Sequence, residues 1–241
     1  MERNTTVHDQ WAAQVLRASI FLRSNWGGAT LWRDLVGEEP DSDENRPRDA
    51  QRNQSGRWRE SVLEAVVGPG RIDIMQSPLI TPASPVTLDN FLTALPPFEE
   101  MVATWLEKNR LEYIRLAVGA VLVMACPTRE ETYEVLGRYV PSVKFDPANS
   151  REPLYRVNRP KRSVAYEGEL NRITTWNSIM VRRAFTVSNV EVPQVDQYFA
   201  RLECDHSTPA GRNDLLTGQA VAIFKELVGL ARENAAEGEL A

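Results

Sequence analysis

Apolar residues in this chain switch between two spacings, and the switches mark out its elements. Residues 15–23 hold Val15, Ile20, Phe21 and Leu22 and read as a strand, with a helical start as the alternative. The paired glycines that follow favour a turn, and residues 31–36 suit one turn of helix. Residues 62–67 and 71–76 flank Gly68-Pro69-Gly70, as in a β-hairpin. In its second arm Ile72 and Ile74 face one way, Arg71 and Asp73 the other. Pro78, Pro82 and Pro85 hold the next stretch extended. Thr87 or Asp89 can cap a short helix carrying Leu88, Phe91, Leu92 and Leu95, which Pro96-Pro97 should end. A second helix, 98–109, aligns Phe98, Met101, Val102, Trp105 and Leu106 on one face.

Residues 112–126 are the clearest strand. Their first half alternates, and the second half is apolar throughout, as in a central strand covered on both faces. Pro127 ends it, and Thr128 to Glu131 form a capping-box pattern that opens a helix to Tyr139. Four strands should follow at 154–158, 170–176, 179–187 and 195–205, antiparallel and joined by short turns. Asn213 or Asp214 should cap a long final helix whose stripe is Leu216, Ala220, Ile223, Leu227, Leu230 and Ala231. The tail 237–241 is expected to fray.

Strands in blocks with inserted helices indicate an α+β protein. The expected architecture is one domain over residues 1–241: a mostly antiparallel sheet, helices packed on one face, and a long C-terminal helix. Residues 37–56 depart from both spacings. They carry Glu38, Glu39, Asp41, Asp43, Glu44 and Asp49 against Arg46, Arg48 and Arg52, and read as a mobile acidic loop able to compete for basic surface elsewhere.

Composition narrows the function class. With 241 residues, 42% hydrophobic and 25% charged, the chain can bury a core without metal or disulfide support. A net charge of −5 argues against a whole surface devoted to nucleic acid. Cys126 and Cys204 lie in apolar runs and form no disulfide framework, which points to the cytoplasm. The first ten residues lack the apolar core of a signal peptide. The longest apolar run, 116–126, is too short to span a bilayer, so no membrane partner is expected.

Against the acidic background, residues 151–183 hold eight basic residues and three acidic ones. Arg156, Arg159, Lys161, Arg162, Arg172, Arg182 and Arg183 are candidate anion contacts, since arginine presents a planar fork to phosphate or carboxylate. Trp176, between Thr175 and Asn177, is the candidate exposed aromatic. The competing reading is that these cations pair with carboxylates of the chain itself.

Catalytic patterns are weaker. The histidines are His8, in a loose terminus, and His206, which shares a strand face with Cys204. Side chains so placed diverge rather than form a dyad, and two ligands do not make a zinc site. Asp73, Glu203 and Asp205 are candidate carboxylates of a metal-dependent nuclease but lack the accompanying lysine spacing. No phosphate loop or nucleophile elbow occurs, and no cofactor or metal is expected. The expectation is a non-catalytic binding subunit or adaptor of a cytosolic, bacterial-type multi-protein assembly. It would dock a protein partner or a further copy of itself through 151–183. Direct DNA or RNA binding by that surface is the alternative, and a divergent nuclease the second.

Overall fold

The structure, a computed structural model, describes residues 11–27, 30–79, 87–183, 186–187, 190–191, 195–211 and 216–240. Its strands are β1 (Ala12–Leu22), β2 (Ser42–Arg46), β3 (Gln51–Trp58), β4 (Ser61–Gly68), β5 (Arg71–Pro78), β6 (Tyr113–Cys126), β7 (Leu154–Asn158), β8 (Lys161–Arg162), β9 (Glu169–Arg183), β10 (Thr186–Val187), β11 (Val190–Glu191) and β12 (Val195–Ser207). Its helices are α1 (Leu31–Val36), α2 (Phe91–Lys108), α3 (Arg129–Tyr139) and α4 (Ala220–Glu237). The main sheet runs β2-β3-β4-β5-β1-β6-β12-β9-β7, with β8 paired to β9. Every pairing is antiparallel. This is the α+β architecture that the apolar pattern predicts.

Alternation along each strand decides which side is covered. Leu16, Ala18 and Ile20 of β1, Leu116, Val118, Ala120 and Leu122 of β6, and Leu202 and Cys204 of β12 face one way and are buried. They meet Phe98, Val102, Trp105 and Leu106 of α2 and Ile223, Phe224 and Leu227 of α4 in one continuous core. Each large side chain so buried contributes about 1.5–3 kcal/mol. Helices α1 and α3 pack on the same side: Gly56 of β3 faces Trp32 of α1, and Tyr139 of α3 stacks on Trp176 of β9 at 5.8 Å.

Five local expectations need correction. Pro96 and Pro97 do not end a helix but lie inside α2. Each removes a backbone donor, which frees the carbonyls of Leu92 and Thr93. Both residues are exposed, so water can take those carbonyls while the buried stripe continues. The cap is Asn90 rather than Thr87 or Asp89: its Oδ1 accepts from the Leu92 N–H at 2.9 Å. Pro82, Pro85, Asn213, Asp214 and His8 lie outside the described residues.

Residues 37–56 are not a loop throughout. They contain β2, a 3-10 turn at Pro47–Asp49 and most of β3. Arg52 pairs with Asp43 at 2.5 Å, and Gln54 donates to the same carboxylate at 3.0 Å. Charge pairing and the hydrogen-bonded ladder to β4 replace the missing apolar stripe. This segment is the sheet edge opposite β7, so it does not compete for the basic stretch.

The strands expected at 170–176 and 179–187 are largely one strand, β9. Residues β12 195–207 pair with it continuously, from Val195↔Arg183 to Ser207↔Asn171, so Asn177 and Ser178 are laddered rather than turned. The C-terminal tail is docked rather than frayed. Gly238 adopts φ 85°, and a Cβ there would overlap the Tyr139 carbonyl. That close approach delivers Glu239 into the protein, where it is 1% exposed.

Candidate docking surface

The basic stretch folds as β7, β8 and β9, its first two strands and the start of β9 lying alongside α4. Three carboxylates spaced along one flank of α4 and its C-terminal turn receive it. Arg159 donates to Glu239 at 3.2 Å and Lys161 to Glu233 at 2.8 Å. The Ser163 hydroxyl donates to Glu226 at 2.6 Å, and the Val164 and Ala165 N–H groups donate to the same side chain. Burial opposes the charge on Glu239, but hydrogen bonds from Ser142, Tyr155 and Arg159 outweigh it and hold the carboxyl below its ordinary range. Arg172 is 5% exposed, with Glu233 at 4.0 Å. Burial pulls its guanidinium below the usual arginine value, and the nearby Glu233 offsets part of that. Arg182 pairs with Asp196 of β12 at 2.7 Å. The side chain of Arg183 lies outside the described residues.

The sequence-predicted contact set therefore divides. Arg159, Lys161, Arg172 and Arg182 are engaged within the chain. Arg156 and Arg162 stand exposed on strands at one side of the sheet. Trp176 is fully buried, not exposed: its ring meets Trp11 at 6.0 Å and its indole N–H donates to Thr174. It faces inward because Leu202, its cross-strand partner, is a core residue. The acid stripe of α4 was missed by sequence reasoning. Glu226 and Glu233 are seven residues apart, two helical turns, and that spacing was its visible signal.

Cys204 and His206 do share a face, the buried one. Burial pushes the thiol well up and the imidazole down to about 4. Neither thiolate nor imidazolium forms readily there at neutral pH, so the pair is poorly suited to nucleophilic work. Asp73, Glu203 and Asp205 all lie on the opposite face, yet two strands separate Asp73 from the other two. At ~4.8 Å per strand step the separation is about 14 Å, too far for one metal ion. Asp73 is also held by Ser19 at 2.5 Å and Arg71 at 2.7 Å. Among the described residues, no three histidine, cysteine or acidic side chains cluster at metal-binding distance.

That opposite face carries no helix among the described residues, and its composition is unusual for a solvated one. Strand β6 turns Ala117, Gly119, Val121, Val123 and Ala125 toward it: five successive outward positions without a polar side chain. Val15 of β1, Met75 of β5 and Ile173 of β9 surround them, half-buried. Charges sit among these apolar positions. Phe21 lies between two guanidiniums, Arg71 at 5.1 Å and Arg115 at 5.0 Å from its ring centre. Arg17 reaches across Gly119 toward Asp205, with a closest approach of 4.0 Å. A Cβ on Gly119 would stand 3.2 Å from Arg17 Nε, so the glycine makes room for that crossing. Arg201 pairs with Glu203 at 3.2 Å.

A cleft of about 620 Å³ opens between α3, residues 151–154 and β9, flanked by the exposed Leu154 and Met180. Its Arg129 is already held by Glu130 and the Pro147 carbonyl. No protein-family model matches the chain, and no curated protein matches it.

Proposed function

We propose that the protein is a non-catalytic binding subunit that buries the helix-free face of its sheet against a protein partner. The observation that carries this reading is β6. A strand facing water on one side alternates apolar with polar, whereas β6 presents apolar or small residues outward from Ala117 to Ala125. Its sequence is that of a strand covered twice, and among the described residues helices cover it on one side only. Ala117, Gly119 and Val123 are buried beneath neighbouring side chains, while Val121, Ala125, Val15, Met75 and Ile173 keep at least partial exposure; apolar area of that kind, set among charged residues, marks protein-contact surfaces. The engaged state of Arg159, Lys161, Arg172 and Arg182 argues against the 151–183 stretch as the main contact. Arg156 belongs to the proposed surface as a rim charge: it pairs in register with Thr175, which faces Glu203. The cytosol is the proposed compartment, consistent with two free cysteines. No described helix is long and apolar enough to cross a membrane.

Site-specific photo-crosslinking in the native host tests the reading. A photoreactive residue at Glu203 or Met75 should give protein adducts, and one at Leu92, exposed on the helix side, should give none. Adducts at Arg156 and Arg162 alone, or salt-sensitive DNA binding lost on Arg156→Glu with Arg162→Glu, would move the function to the basic edge.

A further inference from the structure

Strand β9 is longer than its neighbours on one edge. Its inner edge is laddered to β12 from Asn171 to Arg183, but its outer edge pairs with β8 only at 169–170 and with β7 only at 173–177. Among the described residues, no strand pairs with the outer edge of 178–183. Strand β7 stops short for a local reason. Glu152 takes φ 50°, which ends the extended run, and Pro153 has no N–H for the Ser178 carbonyl that comes next in register.

The uncovered stretch aims main-chain groups outward. The Arg172 N–H donates to Asn158 Oδ1 at 3.0 Å, and the Arg172 carbonyl accepts from the Arg159 N–H at 3.1 Å. The main-chain groups of Arg172 therefore point to the β7 side. Such groups alternate along an antiparallel strand, and β9 keeps register with β12 without a bulge. Those of Met180 and Arg182 thus point to the β7 side as well, beyond the end of β7. Unpaired groups on an edge are a template for another strand. The far edge of the sheet is guarded against that, since β2 reads SDENR and is exposed throughout. Residues 178–181 read SIMV and carry none of the charges or prolines that blunt an edge.

The space beside this edge is the cleft of about 620 Å³. Both faces of β9 line it, Asn177 and Ile179 from one and Ser178 and Met180 from the other. The cleft therefore lies in the line of the missing strand rather than over one face. Met180 shares its side with Tyr198, its partner in register, and Ile179 shares the other side with the exposed Leu154. Successive side chains of an added strand would alternate between these two apolar patches. The charges lining the cleft show no excess of either sign: Arg129 is held by Glu130, which leaves Arg151 and Glu152. That balance fits an apolar segment better than nucleic acid or an acidic peptide.

We propose that an extended apolar segment of a partner protein adds to this edge as a strand, antiparallel to β9 and in line with β7. The contact is separate from the helix-free face, and either stands without the other. Met180 and Arg182 exchange main-chain hydrogen bonds with the segment, and the two patches select its side chains. The open stretch, 178–183, is ~20 Å long, the length of an ordinary strand.

The probe is a synthetic peptide of about eight residues, taken as the tightest binder from a random display library selected on the full chain. Selected sequences should be apolar at successive positions. Binding should slow amide exchange at Met180 and Arg182 at least ~10-fold and leave Ile179 and Val181, already laddered to β12, little changed. N-methylation of alternate peptide residues should weaken binding at least ~10-fold, and that of the intervening residues much less. Met180→Pro, which removes an edge donor, should abolish binding, whereas Val121→Arg on the helix-free face should leave it unchanged. The N-methyl series decides the matter even if Met180→Pro does not fold. A library without a binder tighter than ~1 mM overturns the inference. So does a bound peptide that leaves Met180 and Arg182 exchanging freely, or N-methyl effects without a period of two. Binding lost on Val121→Arg instead would place the peptide on the helix-free face, which overturns strand addition and supports the preceding reading.

Discussion

Acid should destabilise this protein well before its carboxylates protonate, and His206 is the reason. The side chain is fully buried between β12 and α4, with Nδ1 3.4 Å from the Leu227 carbonyl oxygen. Burial is the largest influence on it and lowers its pKa from 6.5 to about 4; the neighbouring Arg172 acts in the same direction. The unfolded chain titrates near 6.5, so between pH 6.5 and 4 the unfolded state binds a proton that the folded state refuses. Stability is therefore complete above the unfolded value and falls as pH drops toward the folded one. A shift of about 2.5 units corresponds to roughly 3 kcal/mol when fully expressed. Between about pH 7.5 and about pH 5, linkage gives a loss of roughly 2 kcal/mol.

The window matters because it excludes other groups. The carboxyls of Asp43, Asp146, Asp196 and Glu239 are all held below their ordinary values, so they stay ionised down to about pH 5 in both states. Urea titrations at about pH 7.5, 6 and 5 would give the slope, with His206→Gln as the control. Wild-type stability should fall across the series, and that of the variant should stay nearly level whatever its absolute value. Equal slopes in the two proteins would refute the buried neutral imidazole.

Three further outcomes follow from the packing. Trp176→Ala should cost about 3–5 kcal/mol in urea unfolding, because its ring is enclosed by Trp11 and Tyr139; a loss below ~0.5 kcal/mol would show an exposed ring instead. Gly238→Ala should cost more than ~1 kcal/mol, since the residue sits at positive φ against the Tyr139 carbonyl. Amide exchange should then quicken at Ser142, whose N–H donates to Glu239. A double-mutant cycle on Lys161→Ala and Glu233→Ala should return ~0.2–1 kcal/mol of coupling, the size expected for a pair with both side chains well exposed.

Much of the fold is legible from periodicity because each element carries its own signal. Strand β6 and the hairpin of β4 and β5 have the spacing of two, and Thr128 opens α3 as its capping pattern implies, accepting from the Glu131 N–H at 3.2 Å. The misread elements are those whose stability comes from elsewhere in the chain. Prolines inside α2 are tolerated because the carbonyls they free face water, a fact of burial rather than of local pattern. Strand β2 is exposed throughout and is held by its ladder to β3 and by Arg52–Asp43. Nothing in residues 37–56 alone distinguishes that arrangement from a loop.

The basic stretch reads differently once folded, for a related reason. A cluster of arginines in sequence looks like a site because charge is read along one segment, whereas pairing is settled between segments. Glu226, Glu233 and Glu239 lie more than sixty residues beyond the donors they meet, and only the packing of α4 beside the basic stretch brings them together. The apolar second half of β6, in contrast, carried its information locally. It demanded cover on two faces, and the fold supplies helices on one. Gly119 sharpens the point. A glycine weakens a central strand, and within one chain its visible use is to let Arg17 cross toward Asp205. That crossing yields a half-exposed pair at 4.0 Å, worth at most ~1 kcal/mol, comparable to what the glycine itself costs the strand.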